Sequence, residues 1–313
     1  MLFIFALIAP IVFTDVYHRH LMVLFGIFAI LALSLDVSMG YLGELPLGHA
    51  AFFGLGAYAS ALLALKLHLP FWLTLPLSGL FTGIMGLLIG IPSFRLKGPY
   101  FAIVTLGFAQ IVYLIVTNWV SFTRGPMGIT QIPAPVIKLP YFSTFTFATE
   151  FSYYYIVYGT VLFSIFVTEK LINSRTGRAI LAIRENEPLA LSIGIQSYYF
   201  KLIAFGVGTM LAGMGGSVYA HYFRVITPDL VGVYYMVNAL MMVMVGGVGS
   251  IGGALLGAFI FTVIPETLRI VEDLRLIIFG GILLVSIIYL PKGVIRGLEA
   301  LISVCLTRIR SKN

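Results

Sequence analysis

Long apolar stretches follow one another along almost the whole chain, with only short polar segments between them. Hydrophobic residues make up 60% of the sequence and charged residues only 10%, whereas a water-soluble domain carries about 25% charged residues. A helix needs about 20 apolar residues to cross the bilayer core. We therefore predict an all-α polytopic membrane protein, a single transmembrane domain with roughly 8–10 membrane-spanning helices. The predicted spans cover residues 2–14, 21–40, 47–66, 71–92, 99–119, 151–170, 202–222, 233–264 and 274–291.

The stretch 233–264 is too long for one ordinary span and contains the glycine-rich run GGVGSIGG at 246–253. Two shorter helices that meet at this run, either as two spans or as a re-entrant pair, fit its length better than one helix. Irregular backbone at membrane depth is tolerated only where protein or a water-filled cavity covers it. We therefore predict a break here, and Gly246, Gly247 and Gly249 are candidates for helix packing or for lining a path.

One sizeable polar segment, at about 171–201, interrupts the apolar chain. Its pattern predicts a short helix over 177–184 and a second one after Asn186, which is a suitable N-cap. Pro188 then falls in the first turn of the second helix, and Gly194 follows its end. Two helices this short do not fold alone, so the pair needs a surface to rest on. Its mixed charges favour a protein partner over lipid, because lipid surfaces prefer a strongly cationic helix face.

The distribution of basic residues predicts the orientation in the membrane. Cytoplasmic loops collect Lys and Arg, and placing segment 171–201 and the C-terminal tail in the cytoplasm puts twelve of the nineteen basic residues inside. Segment 171–201 and the C-terminal tail can lie on the same side of the membrane only if the stretch 233–264 crosses the membrane twice, which agrees with the predicted break. The net charge of +7 is thus explained by membrane topology rather than by nucleic-acid binding.

The segment 120–150 is then a long external loop. It contains four prolines, which stiffen the backbone, together with several aromatic residues. A loop of this length is usually either functional or disordered, and its apolar and aromatic content argues against disorder.

Few polar residues fall inside the predicted spans, and each is a functional candidate because such groups are costly in lipid. Asp36, Glu44 and His49 lie near the inner end of one span and the start of the next. We expect a structural or interfacial role for them, with Asp36 and Glu44 facing water, ahead of a role in lining a path. Gln110 and Asn118 lie on the span 99–119, where amides usually form hydrogen bonds between helices.

Signatures of enzymes are absent from the sequence. It contains no Gly-x-Ser-x-Gly, HExxH or phosphate-binding GxxxxGK[ST] motif. Its single cysteine, Cys305, excludes an internal disulfide, and no metal-binding spacing of Cys and His occurs. A gradient-driven carrier is expected to hold carboxylates at the centre of a span, and none falls convincingly there. A transporter driven by a separate ATPase is therefore favoured over a secondary transporter or a membrane-embedded enzyme.

Several segments resemble one known family in sequence order. GRAILAIRENEPLALSIGIQSYYFKLIAFGVGTMLAGMGGSVYA resembles the coupling loop and following helix of branched-chain amino acid ABC importer permeases, specifically the M-type subunit. The segments GYLGELPLGHAAFFGLGAYASALL, LKGPYFAIVTLGFAQIV, NWVSFTRGPMGI and GGVGSIGGALLGAFIFTVIPE are similar to the same family. The resemblance covers roughly residues 35–295 and is specific as a combination.

The resemblance implies a permease subunit of an ATP-driven importer in a bacterial or archaeal cell membrane, with its C-terminus in the cytoplasm. It implies four partners in addition to the lipid: a second, related permease in a heterodimer, two cytosolic ABC ATPase subunits and an extracytoplasmic binding protein. ATP and Mg²⁺ then bind to the ATPase, and this chain holds no cofactor. The implied solutes are branched-chain or other hydrophobic amino acids, with urea or short amides as the alternative.

The resemblance also assigns the polar segment as a coupling loop that inserts into a groove of the ATPase. Importers of this type carry Glu-Ala-Ala followed three residues later by Gly in this loop. The chain departs from that pattern, with Glu-Pro-Leu-Ala at 187–190 ahead of the glycine. The implied coupling residues are Gly177, Arg178, Arg184, Glu185, Glu187, Pro188, Ala190 and Gly194.

Overall fold

The structure is a computed structural model that describes residues 15–96, 98–137, 145–147, 149–267 and 281. Within these residues, six helices are long and apolar enough to cross a membrane, and two shorter apolar helices follow them. The helices are α1 Val16–Asp36, α2 His49–Lys66, α3 Phe71–Ser93, α4 Pro99–Asn118, α5 Val120–Thr123, α6 Glu150–Ile172, α7 Arg175–Glu185, α8 Glu187–Ser192, α9 Ser197–Phe223, α10 Val233–Gly246 and α11 Ile251–Thr267. The strands are β1 Ile129–Thr130, β2 Val136–Ile137, β3 Phe145–Thr146 and β4 Val225–Ile226.

The prediction of an all-α polytopic membrane protein is confirmed. The predicted spans between 21 and 222 each coincide with one long helix. The predicted spans 2–14 and 274–291 and the basic C-terminal tail lie outside the described residues.

The centre of the bundle is α9, which packs along α1, α2 and α3. Small residues allow these backbones to approach closely. A Cβ atom on Gly56 of α2 would overlap the backbone of Gly213 on α9, and one on Gly216 would overlap the carbonyl of Phe53. Because lipid provides no hydrophobic force between helices, this close contact is a main source of their association.

The predicted break in 233–264 is confirmed. After α10 the chain turns through residues 247–250 and returns as α11, and Gly247 and Gly249 have φ angles of 130° and 76°. The two helices pack antiparallel, since a Cβ on Gly257 would overlap the carbonyl of Met242 and one on Gly246 would overlap that of Gly253. The 14 residues of α10 span only about 21 Å, which is less than the bilayer core of about 30 Å.

The bundle has two chemically different ends. We call the end that carries α7 and α8 the inner end; the hydroxyl of Tyr198 there donates to the carbonyl of Ile91 over 3.1 Å. We call the opposite end the outer end, where segment 119–149 connects α4 to α6. Its strand β1 pairs with β4, and β2 pairs with β3, so the described part of this loop is ordered by strand pairing.

Candidate functional site

The polar segment 171–201, here named the coupling loop after the role that the resemblance implies, forms two short helices with well-defined caps. The hydroxyl of Ser174 accepts the N–H of Gly177 at the start of α7, and Oδ1 of Asn186 accepts the N–H of Leu189 at the start of α8 over 3.0 Å. Pro188 lies in the first turn of α8. Gly194 follows this helix with a φ of 87°, the left-handed conformation that favours glycine. The predicted helix pair and its caps at 186 and 194 are therefore confirmed.

The first helix of the loop lies against the inner end of the bundle through its apolar side. Ala179, Ile180 and Ile183 are buried. Ile180 belongs to a small apolar cluster with Val37 and Leu42, which follow α1, and with Ala204 of α9. Movement of α7 is thus linked by direct packing to the junction between α1 and α2.

An ion-pair cluster ties the second helix to the same junction. Nζ of Lys201 on α9 lies 2.6 Å from Oε1 of Glu44 and 3.0 Å from Oε2 of Glu187. The side chain of Lys201 is 10% exposed and that of Glu44 is 20% exposed. One lysine therefore joins the helix α9, the α1–α2 loop and the coupling loop.

Arg184, at the end of α7, contacts two glycines of the bundle. A Cβ on Gly43 would lie 3.0 Å from Cγ of Arg184, and one on Gly249 would lie 2.9 Å from its Nη1. The N–H of Gly249 in turn donates to Oδ1 of Asp36 over 2.8 Å. The coupling loop thus reaches the turn between α10 and α11, and Asp36 binds the same turn through its carboxylate.

The outward side of the loop is apolar as well. Leu189, Leu191 and Ile193 are 62%, 54% and 70% exposed. Of the residues that the resemblance assigned to docking, Ala190 is buried at 2% exposure, and Glu187 turns inward to Lys201. The sequence analysis therefore missed the three exposed apolar residues. Apolar residues on both sides of a short helix in a polar segment could have indicated them.

The remaining loop residues occupy several environments. Gly177 is buried because α7 packs closely on the end of α6, where a Cβ would overlap the carbonyl of Ile172. The side chains of Arg178, Glu185 and Pro188 are exposed, together with Gly194. This exposed set and the apolar residues of α8 form a surface that the rest of the described chain does not cover.

The expectation that Asp36 and Glu44 face water is wrong. Asp36 is fully buried, and its Oδ1 accepts the N–H of Gly249. Glu44 is mostly buried because it pairs with Lys201. His49 is also fully buried, and its Nε2 lies 2.9 Å from the hydroxyl of Ser34 on α1. The structure thus gives these residues structural contacts at the inner side of the bundle, with long-range partners that local sequence could not identify.

The two amides of α4 do not pair with other helices within the described residues. Nδ2 of Asn118 donates to the carbonyl of Leu114 on its own helix over 2.8 Å. The exposed side chain of Gln110 instead lines a cavity of about 610 Å³ together with Tyr113, Thr227 and Asp229. Interhelical bonding by these two amides stays a prediction.

Next to this cavity, the chain leaves helical structure inside the bundle. A 3₁₀ turn at Pro228–Val231 precedes α10, and a Cβ on Gly54 of α2 would lie 3.3 Å from the carbonyl carbon of Leu230. Gly54 is twelve residues before the end of α2 at Lys66, so the turn lies roughly 18 Å from the outer end of that helix. Irregular backbone at this depth requires cover by protein or by a water-filled cavity.

A bundle of long apolar helices with a broken helix hairpin and a capped loop at one end is the architecture of a multi-pass membrane protein. The family model described as "Branched-chain amino acid transport system / permease component" matches residues 19–287. The chain belongs to this family.

Similar proteins agree with this assignment. The chain is 34% identical over 287 residues to the high-affinity branched-chain amino acid transport system permease protein LivM of Salmonella typhimurium, covering 86% of this chain and 68% of that protein. It is 24% identical to the probable branched-chain amino acid transport permease protein LivM of Methanocaldococcus jannaschii, covering 87% and 91%. The autoinducer 2 import system permease protein LsrC of Yersinia pseudotuberculosis is 26% identical, covering 75% and 62%. No solved structure matches the chain.

Proposed function

We propose that this chain is the permease subunit of an ATP-driven importer that carries branched-chain amino acids across a bacterial or archaeal cell membrane. Family membership and the 34% identity to LivM of Salmonella typhimurium support this substrate class. The partners in this proposal are a second, related permease, two cytosolic ABC ATPase subunits and an extracytoplasmic binding protein. ATP and Mg²⁺ bind to the ATPase, and the permease supplies the path and the moving elements.

The coupling loop is the observation that carries the ATP-driven part of the proposal. Its apolar residues Leu189, Leu191 and Ile193 are exposed at the end of the bundle, where water would make this arrangement unfavourable. A hydrophobic groove on a soluble partner buries such a helix, with its alternate apolar residues as anchors. The inner end is then cytoplasmic, as the distribution of basic residues predicts.

The same loop provides a route for mechanical coupling. A partner that moves α8 acts directly on the pair Glu187–Lys201, and through Lys201 on Glu44 between α1 and α2. Through Arg184 it also acts on the turn between α10 and α11. Closing of the ATPase on ATP therefore changes the positions of two irregular segments of the bundle together.

The decisive experiment is reconstitution of the chain with its partners in proteoliposomes and measurement of ATP-dependent leucine uptake. The double variant Leu189→Asp with Ile193→Asp should lose ATPase on co-purification while still inserting into the membrane. Ser192→Asp, an exposed polar position on the same helix, is the matched control and should retain it. Leucine uptake that needs no ATPase and follows a proton gradient would instead establish a secondary transporter.

A further inference from the structure

The cavity beside the 3₁₀ turn adjoins a second, smaller pocket. This pocket has a volume of about 20 Å³ and shares Gln110, Tyr113, Gly232 and Val233 with the larger cavity of about 610 Å³. Twenty cubic ångströms hold about one methyl-sized group. The pocket walls are otherwise almost entirely aliphatic, formed by Leu47, Ala50, Ala51, Leu106, Val231 and Met236. A wide, open chamber lined by Asp229 and Gln110 thus adjoins a narrow recess with mainly aliphatic walls.

Asp229 places a negatively charged carboxylate in the chamber, and such a group is unfavourable in contact with lipid. Its side chain is exposed, and Oδ2 accepts one hydrogen bond, from Thr227 over 3.3 Å. The turn that carries it lies beside Gly54, inside the bundle. A carboxylate at such a depth faces a polar partner or a water-filled path. A water-filled path also tolerates irregular backbone inside the membrane.

Hydrogen-bond donors also line this chamber. The amide of Gln110 makes no hydrogen bond within the described residues, and Tyr113 lies one turn further along α4. The chamber therefore offers a carboxylate from Asp229 and neutral donors from α4, with a mainly aliphatic recess next to it. This combination matches the ammonium, carboxylate and side chain of a zwitterionic amino acid.

We propose that this chamber is a recognition site within the path for an α-amino acid with a branched aliphatic side chain. Asp229 binds the ammonium group, Gln110 donates to the carboxylate, and the end of the side chain enters the recess beside Leu106 and Met236. The inference rests on the proposed function and adds selection by the permease itself to any selection by a binding protein.

The test uses the complete importer in proteoliposomes with radiolabelled leucine, valine and alanine. Asp229→Asn removes the charge at constant size and should lower leucine uptake about tenfold, the value of one lost charge-assisted hydrogen bond. Leu106 is 41% exposed, so the fold tolerates its replacement. Leu106→Trp should fill the recess and shift the leucine-to-alanine uptake ratio toward alanine about tenfold.

The matched control is Ile103→Trp, because Ile103 lies on the same helix, is 60% exposed and does not line either cavity. It should leave the uptake ratio unchanged. Unchanged uptake in Asp229→Asn together with an unchanged ratio in Leu106→Trp would overturn the site while the proposed function stands. Failure of the unaltered importer to take up leucine would instead overturn the proposed function.

Discussion

Nζ of Lys201 lies 2.6 Å from Oε1 of Glu44, although 157 residues separate them in the chain. The same ammonium group lies 3.0 Å from Glu187 in the coupling loop. Lys201 is only 8% exposed. Because its ammonium group has little contact with water, these two carboxylates stabilise its charge. The contact joins the loop that we propose as the docking site of the ATPase to the helices of the bundle.

We expect Lys201→Met to uncouple transport. Removing the lysine costs about 3 kcal/mol, since it leaves the mostly buried carboxylate of Glu44 without a counter-charge. Leucine uptake should fall while ATP hydrolysis by the assembled complex continues, and both are measured in the same proteoliposomes. Lys170→Met, an exposed lysine at the same end, should keep both activities.

A charge exchange separates coupling from simple destabilisation. The double variant Lys201→Glu with Glu44→Lys restores opposite charges at the 2.6 Å contact, while the new carboxylate also lies beside Glu187, which limits the recovery. It should recover part of the uptake that Lys201→Glu alone loses. Equal uptake in the single and double variants would show that the pair does not transmit movement.

The effect of a substitution at Gly194 should depend on how readily the new residue adopts a positive φ rather than on the size of its side chain. Its φ is 87°, and a Cβ atom there would meet no heavy atom within 4 Å. The left-handed conformation costs an ordinary residue about 1–2 kcal/mol, more for a β-branched one, and Asn adopts it most easily. Uptake should therefore decrease from Gly194→Asn to Gly194→Ala to Gly194→Val, measured at equal membrane insertion. A uniform loss in all three would indicate that glycine is needed for a close approach of the partner.

The features that the sequence predicted are those that depend on neighbouring residues. The apolar run lengths indicated the spans, and Asn186, Pro188 and Gly194 specified the caps of α8 because a cap is a local hydrogen-bonding pattern. The partner of Asp36 could not be predicted, because Gly249 lies 213 residues away and a buried acid at the end of a helix resembles an exposed one in sequence. The buried side of α8 could not be predicted either, because its leucines and Ala190 alternate over too few residues to show which side packs on the bundle.

Asp36→Asn should be much milder than Asp36→Ala. The carbonyl oxygen of asparagine can accept the N–H of Gly249, which now donates to Oδ1 of Asp36 over 2.8 Å. Alanine leaves that N–H without an acceptor in a turn with a φ of 76° at Gly249, at a cost of about 1–3 kcal/mol. Thermal unfolding of the purified complex measures the difference. Equal melting temperatures for the two variants would show that this hydrogen bond does not hold the α10–α11 turn.

His221 should hold the outer loop on the bundle. Its Nδ1 donates to the carbonyl of Pro133 over 2.8 Å, so Nε2 is the acceptor for the hydroxyl of Ser60 at 3.0 Å. Ser217 donates to Ser60 over 2.7 Å and completes a buried chain of hydrogen bonds from α9 to the loop.

His221→Leu removes both of these bonds and leaves the hydroxyl of Ser60 and the carbonyl of Pro133 without their partner, at a cost of about 1–3 kcal/mol. The loop should then separate more often from the bundle, because opening frequency follows the local free energy. Limited trypsin digestion at Arg124, applied from the outer side of sealed vesicles, should become faster. His68→Asn, at an exposed position of the same end, should leave the cleavage rate unchanged, and an equal rate in both variants would show that other contacts hold the loop.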